Sequence, residues 1–278
     1  MSSTEAINYA TFFGFDSVAA AAVFAALYTL LFCFFLFRVL KQRRWILISL
    51  LVFCAFRITG FIMRAVATKM VSDGENLGFV VATETLFSVG FFGLLFCAFI
   101  LVVARYELCQ TEQSSNPLVK NFLAITRNSR IFRIVMTVPI GLSIAGLDES
   151  VEHPEESIGL TLRKVSAAVF LVLTIFQLIQ TLLLIKTEHD DKRSLKYTSS
   201  TFGARHASVV FGAISLLLLI RGVFSLATVG NTKANNEHFW YPLVAVPEIL
   251  CVFLYLIPGV VPPKVVPRDM ESLPMDPK

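Results

Sequence analysis

The sequence predicts an all-α, polytopic membrane protein, a bundle of seven transmembrane helices with its N-terminus outside and its C-terminus in the cytosol. Three observations predict it. Of 278 residues, 55% are hydrophobic and only 16% are charged, whereas a soluble domain is about 25% charged. The apolar residues fall in blocks of roughly 17–28, the length that crosses a bilayer as helix. Lys and Arg are divided unevenly between alternate connections, which sets an orientation.

Residues 1–16 lack a basic n-region, and the apolar block after them is too long for a signal-peptide core. They are expected to form a short extracytoplasmic segment ahead of a retained first span. The transmembrane domain, 17–261, holds spans at Ser17–Leu40, Trp45–Ala67, Leu77–Ala104, Ile131–Leu147, Val165–Ile185, Ala207–Val229 and Phe239–Val261. Arg133 and Pro139 interrupt the fourth, which is the shortest. Helices are the expected spanning form because each satisfies its own backbone polar groups, and the period-two alternation of a barrel is absent. The Pro-rich residues 262–278 are expected to be a disordered cytosolic tail.

The connections after spans one, three and five, with the C-terminal segment, hold 17 of the 24 Lys and Arg. The opposite side holds four: Lys69, Arg163, Lys164 and Lys233. The positive-inside rule then gives the stated orientation. Trp45 and the Trp240–Tyr241 pair fall at span ends, where interfacial anchors belong. The net charge of +4 is thus a topology signal, and no nucleic-acid partner is expected. Four of the five cysteines (Cys33, Cys54, Cys97 and Cys251) lie inside apolar segments, which argues against a disulfide framework.

The outer connection Asp148–Arg163 is acidic, with His153 among its carboxylates, but it lacks metal-ligand spacing and reads as a solvated loop. No metal and no cofactor is expected. The inner connection Lys186–His206 is mixed in charge and rich in hydroxyls, an exposed loop on which a cytosolic protein partner could dock.

The chemical signal lies inside the spans. Arg57 and Glu84 are separated by 27 residues, and so are Arg221 and Glu248. At 1.5 Å per residue in a hydrocarbon layer of about 30 Å, all four lie roughly 9–13 Å below the outer boundary. An ionisable side chain at such depth costs several kcal/mol and marks a functional site with a partner to be named. Arg–carboxylate pairing within this layer is the simplest account, as Arg57–Glu84 with Arg221–Glu248 or as the crossed set. Such pairs can also be purely architectural. Arg64 falls near the outer interface, where it can snorkel. Pro247, beside Glu248 and between Pro242 and Pro258, predicts a broken helix. Gln177 and Gln180 in span five offer further polar atoms to a pocket. Spans one to three and five to seven enter with the same orientation, so a parallel repeat would set the two Arg/Glu pairs opposite each other.

With these residues in hand, a family likeness is visible. The runs SRIFRIVMTVPIGLSIAGL, LRKVSAAVFLVLT, LLLIRGVFSLATVGN and HFWYPLVAVPEILCVFLYLIPGVVP resemble a fungal seven-transmembrane integral membrane family of uncharacterised function. The segments around Arg221 and Pro247–Glu248 are also distantly similar to the fungal lipid-translocating exporter family. The resemblance implies a seven-helix bundle that handles lipid-like molecules.

No Ser-His-Asp or phosphate-loop spacing occurs, and all four histidines fall in or beside loops. The expected function is therefore non-enzymatic: binding or translocation of a small amphipathic or lipid-like ligand at the Arg/Glu layer, where an arginine would meet an anionic head group. Membrane lipids are the expected surroundings, with the plasma membrane favoured over internal membranes. The alternative is a seven-helix receptor or scaffold that signals through its cytosolic loops, with the ion pairs structural. Arg105-Tyr106-Glu107 at the inner end of span three does not follow the Asp/Glu-Arg-Tyr order of G-protein-coupled receptors, and span seven has neither Asn-Pro-x-x-Tyr nor a lysine.

The orientation is testable by tag accessibility on intact cells. An epitope at Met1 should be reachable from outside and one at Lys278 only after permeabilisation; the reverse pattern would overturn the topology.

Overall fold

A computed structural model describes residues 14–70, 76–108, 129–152, 157–190, 202–230 and 236–261. Among the described residues the chain is all-helical. Ser17 opens the first described helix: its Oγ accepts a hydrogen bond from Ala20 N at 3.2 Å, satisfying one of the donors that a helix start leaves over. Helix α1 (Val18–Lys41) ends with Arg38 and Lys41 in its last turn, where cations complement the helix dipole. A short connection leads to α2 (Trp45–Lys69). Asn76 caps α3 (Leu77–Leu108), its Oδ1 accepting from Phe79 N at 3.3 Å. Then come α4 (Ser129–Glu152), α5 (Ile158–Asp190), the single turn α6 (Phe202–Arg205) and α7 (Ala207–Thr228). The last described helix, α8, runs Glu237–Leu256 and is capped by Asn236, whose Oδ1 accepts from His238 N.

Among the described residues six helices are long and apolar enough to cross a membrane: α1, α2, α3, α5, α7 and α8. They mark the chain as an integral, multi-pass membrane protein. Helix α4 occupies the place of the expected fourth span and is 24 residues long, but it is not one of the six. Arg130 and Arg133 near its start and Asp148 and Glu149 near its end shorten its apolar centre, and Pro139 lies within it.

Successive helices pack antiparallel. Phe24 of α1 stacks on Phe61 of α2, Gly60 of α2 lies against Phe87 of α3, and Ser166 of α5 donates to the Pro139 carbonyl of α4 at 2.6 Å. Thr181 of α5 and Ser215 of α7 share a hydrogen bond at 2.8 Å. Buried aromatics, among them Tyr28, Phe53, Phe61, Phe91 and Phe211, fill the interior. Leu30, Phe37, Leu182 and Val209 point outward, as side chains facing lipid do.

Several elements differ from the sequence expectation. Helix α5 begins seven residues before Val165 and ends five after Ile185. Much of the expected loop Asp148–Arg163 is therefore helix; its central residues 153–156, with His153, lie outside the described residues, as does most of the expected terminal segments. The expected break at Pro247 is a widening instead. Tyr241–Ala245 form one π-helical turn, and Val246 N donates to the Tyr241 carbonyl five residues back. Pro247 has no N–H for the Leu243 carbonyl and its ring crowds that oxygen; opening the preceding turn relieves the clash without unwinding the helix. Trp45 is exposed, as an anchor would be, but Trp240 is buried inside the bundle.

Small residues set the approach of α4 to α5. A Cβ on Gly146 would lie 2.9 Å from the Gly159 carbonyl oxygen and 2.9 Å from Leu162 Cβ. Gly146→Ala should therefore push the two helices apart and destabilise the protein by about 1–3 kcal/mol. Thermal unfolding in detergent measures this, and an unchanged midpoint would show that the helices are not in backbone contact.

Candidate functional site

Two arginines from different helices share one carboxylate at the centre of the bundle. Arg57 lies on α2, Arg221 on α7 and Glu248 on α8. Arg57 Nη2 donates to Glu248 Oε1 at 2.6 Å, and Arg221 Nε pairs with the same oxygen. Their relative exposures are 0%, 7% and 1%, so water cannot screen the interaction, and removal of one partner would leave a charge with no solvent to turn to.

The surroundings are shaped for these guanidinium groups. Arg57 Nη2 also donates to the Phe87 carbonyl at 3.0 Å and Nη1 to the Leu86 carbonyl at 3.4 Å. The Phe53 and Phe87 rings lie 5.0 and 4.9 Å from its Cζ, within cation–π range. Arg221 Cζ sits 3.6 Å from the centre of the Phe91 ring, and its Nη2 makes a longer contact of 3.5 Å to the Phe87 carbonyl. That carbonyl thus meets both arginines as well as its own helix. Gly90 of α3 faces the Arg57 guanidinium so closely that a Cβ there would lie 2.8 Å from Nη1. The glycine makes the room in which the arginine lies.

The expected layer is thus assembled, but with different partners. Arg57 pairs with Glu248, as in the crossed set. Glu84 does not pair with Arg57; it lines a cavity with Arg163 of α5, to which it is electrostatically attracted. Arg64 does not snorkel. It is 1% exposed, and its Nη2 donates to Glu237 Oε1 of α8 and to the Gly14 carbonyl, both at 3.0 Å. Its Cζ lies 4.2 Å from the Phe15 ring and 4.2 Å from Trp240. A charge that meets a carboxylate, a backbone carbonyl and two aromatic faces indoors has no need to reach the interface. Pro247 is buried beside Glu248. Gln177 and Gln180 are buried on α5 but are not among the side chains that line the cavity.

Two members of the site were not singled out in the sequence, Glu237 and Arg163. Both stand at the head of an apolar segment, where a charge reads as an ordinary helix end. Depth gave no signal in the sequence, because both residues precede the spans expected from Val165 and Phe239; the earlier starts of α5 and α8 bring them into the bundle. At the opposite end of the bundle Arg105 Nε donates to Glu188 Oε1 at 2.7 Å, joining α3 to α5.

The cavity adjoins the cluster and has a volume of about 140 Å3. One water needs roughly 10–15 Å3 on this measure, so several waters or a small head group would fit. Helices α3, α4, α5, α7 and α8 wall it. Arg221, Arg163, Glu84 and the hydroxyls of Ser88, Ser143 and Ser225 contribute polar atoms, and Phe87, Phe91, Phe170 and Trp240 contribute apolar faces. A charged interior beside aromatic walls suits a molecule with a polar end and an apolar body.

A family model described as a domain of unknown function (DUF7702) matches residues 15–264. No curated protein and no solved structure shows a significant match.

The shared carboxylate can be tested by double-mutant cycles on unfolding free energy. Glu248→Ala alone should cost about 3–5 kcal/mol, because it strands two buried cations. Coupling of about 0.5 kcal/mol or more is expected for Arg57 with Glu248 and for Arg221 with Glu248, and none for Arg57 with Glu84. Coupling confined to the last pair would reject the assignment.

Proposed function

Since this chain belongs to the DUF7702 family, whose domain is of unknown function, we propose its role from its own geometry: a non-enzymatic integral membrane protein that binds or translocates a small amphipathic or lipid-like ligand. The observation that carries the reading is the junction of the buried ion cluster with the cavity. Arg221 belongs to both: it pairs with Glu248 on one side and lines the cavity on the other. A purely architectural pair has no need of an adjoining polar space, whereas a binding site needs a cation held in place before the ligand arrives. The distant likeness of the Arg221 and Glu248 segments to lipid-translocating exporters accords with this reading and is carried by those residues alone.

In this proposal α4 completes a seven-span bundle with the N-terminus outside, and the cavity lies in the outer half of the membrane. The positive-inside count supports that orientation. Glu248 fixes the guanidinium of Arg221, and Phe87 and Trp240 form the wall against which an apolar body would rest.

A second reading has an observation of its own. Helices α3 and α5 are 32 and 33 residues long, or about 48–50 Å, well beyond a hydrocarbon layer of about 30 Å. The Arg105–Glu188 pair clamps them together near their C-terminal ends. A receptor or scaffold that signals to a cytosolic partner would use that end, with the buried cluster serving only to hold the helices.

Thermal stability of the purified protein, screened against lipids and amphipaths for wild type and Glu248→Gln, separates the two. Stabilisation that grows with ligand concentration in the wild type and is lost in the variant is the expected result. A variant that melts lower, with no ligand response in either form, would favour the structural role.

A further inference from the structure

The polar lining of the cavity holds two arginines, Arg163 and Arg221, one carboxylate, Glu84, and the hydroxyls of Ser88, Ser143 and Ser225. In the cluster behind it, two guanidinium groups meet a single carboxylate, so Glu248 neutralises one of them and a positive charge is left over at Arg57 and Arg221. Glu84 lines the cavity with a cation of its own, Arg163. Among the described residues Arg221 Nη1 makes no hydrogen bond, although Arg221 lines the cavity. Phe91 covers the ring-facing side of that guanidinium, and Glu248 holds its Nε, so the remaining edge is left for a ligand. Ser88 of α3 and Ser225 of α7 also line the cavity, and their Oγ atoms likewise make no hydrogen bond among the described residues.

A buried excess cation in a membrane protein calls for a counter-charge. The donors here come from separate helices rather than from one edge. A carboxylate presents its two oxygens in one plane. A phosphate presents several in different directions, which an arginine and hydroxyls on opposing helices can meet together.

We propose that the cavity binds an anionic phosphate-type group, with Arg221 as its cationic contact and the Ser88 and Ser225 hydroxyls as further donors. The inference rests on the reading of the cavity as a ligand site and adds the class of head group that it takes. Trp240 lines the cavity near Arg64, while Trp45 is exposed. In a Trp45→Phe background, tryptophan fluorescence therefore comes from Trp240, in the cavity wall.

The experiment is a fluorescence titration of the full chain in a neutral maltoside detergent. Four probes are compared: dodecyl phosphate, dodecanoate, dodecyltrimethylammonium and inorganic phosphate. Dodecyl phosphate should bind saturably and more tightly than dodecanoate, and the cationic amphipath should not bind. Arg221→Lys should weaken dodecyl phosphate by about tenfold or more, the size of a lost charge-assisted hydrogen bond. Because Arg221 also supports the fold, the decisive variant is Ser88→Ala/Ser225→Ala. It should lose affinity while keeping its melting temperature. Competition by inorganic phosphate at similar concentration would assign the site to a free anion, and its failure to compete would assign it to a lipid head group; both support the anion class. Equal or tighter binding of the cationic amphipath or of dodecanoate would overturn this inference while leaving an amphipath site in place. So would dodecyl phosphate affinity that the double serine variant leaves unchanged. No saturable response to any probe would overturn both this inference and the ligand-binding reading.

Discussion

Two buried guanidinium groups drawn to one carboxylate oxygen are the constraint from which the rest of the arrangement follows. In a membrane, helices gain nothing from hiding apolar surface from one another, since lipid tails are as apolar as leucine. Association then depends on close packing and on polar groups that lipid cannot satisfy. Arg57 and Glu248 are 191 residues apart and Arg64 and Glu237 are 173 apart, so these contacts fasten the last helix to the second at two heights. Reversal of α8, or rotation about its axis, would leave buried charges stranded. The ion pairs therefore select one topology among bundles of similar apolar burial.

Smaller features are intelligible as adjustments to that constraint. Gly90 has no side chain because Arg57 lies where a Cβ would be. The Phe87 carbonyl takes a second role beyond its helix because two arginines converge on it. The π-helical turn at Tyr241–Ala245 lets Pro247 sit inside a continuous helix between Glu237 and Glu248, so both carboxylates of α8 can face α2. The aromatic rings at Phe53, Phe87 and Phe91 offer their negative faces where no further carboxylate is present.

Much of the architecture was legible from composition. Apolar blocks of bilayer length and the lack of strand alternation specified helices, and α1, α2, α3 and α7 lie close to their expected bounds. The charged residues were also legible, because Arg57, Arg221 and Glu248 stand out against apolar neighbours. Their partnerships were not. Equal spacing between Arg57 and Glu84 and between Arg221 and Glu248 suggested two equivalent pairs, yet spacing along the chain says nothing about rotation around a helix axis. Whether Glu84 meets Arg57 or Arg163 depends on which face of α3 turns to α2 and which to α5, and that is decided by packing across the whole bundle. The same blindness hid Arg64. A charge near the end of a span reads as interfacial until Phe15, Trp240 and Glu237, from both ends of the chain, are seen to enclose it. The two halves are consequently unlike at the charged layer: one carboxylate takes two arginines, and the other faces a cavity.

That inequality joins the architecture to a possible use. A symmetric set of two pairs would be electrically closed, with each charge cancelled by its neighbour and nothing left to act on a third molecule. Sharing Glu248 leaves Arg57 and Arg221 with one charge uncompensated, and geometry decides where it is felt. Arg57 is closed in by Phe53, Phe87, Gly90 and two backbone carbonyls, and it is not among the side chains that line the cavity. Arg221 is held on one edge and over one ring, with the cavity before it. The excess therefore emerges at Arg221 and nowhere else in the cluster. Glu248 is both the fastening that holds three helices together and the group that orients the exposed edge of Arg221. Stability and ligand affinity consequently share an oxygen atom, and only residues beyond that atom, such as Ser88 and Ser225, can report on one without disturbing the other.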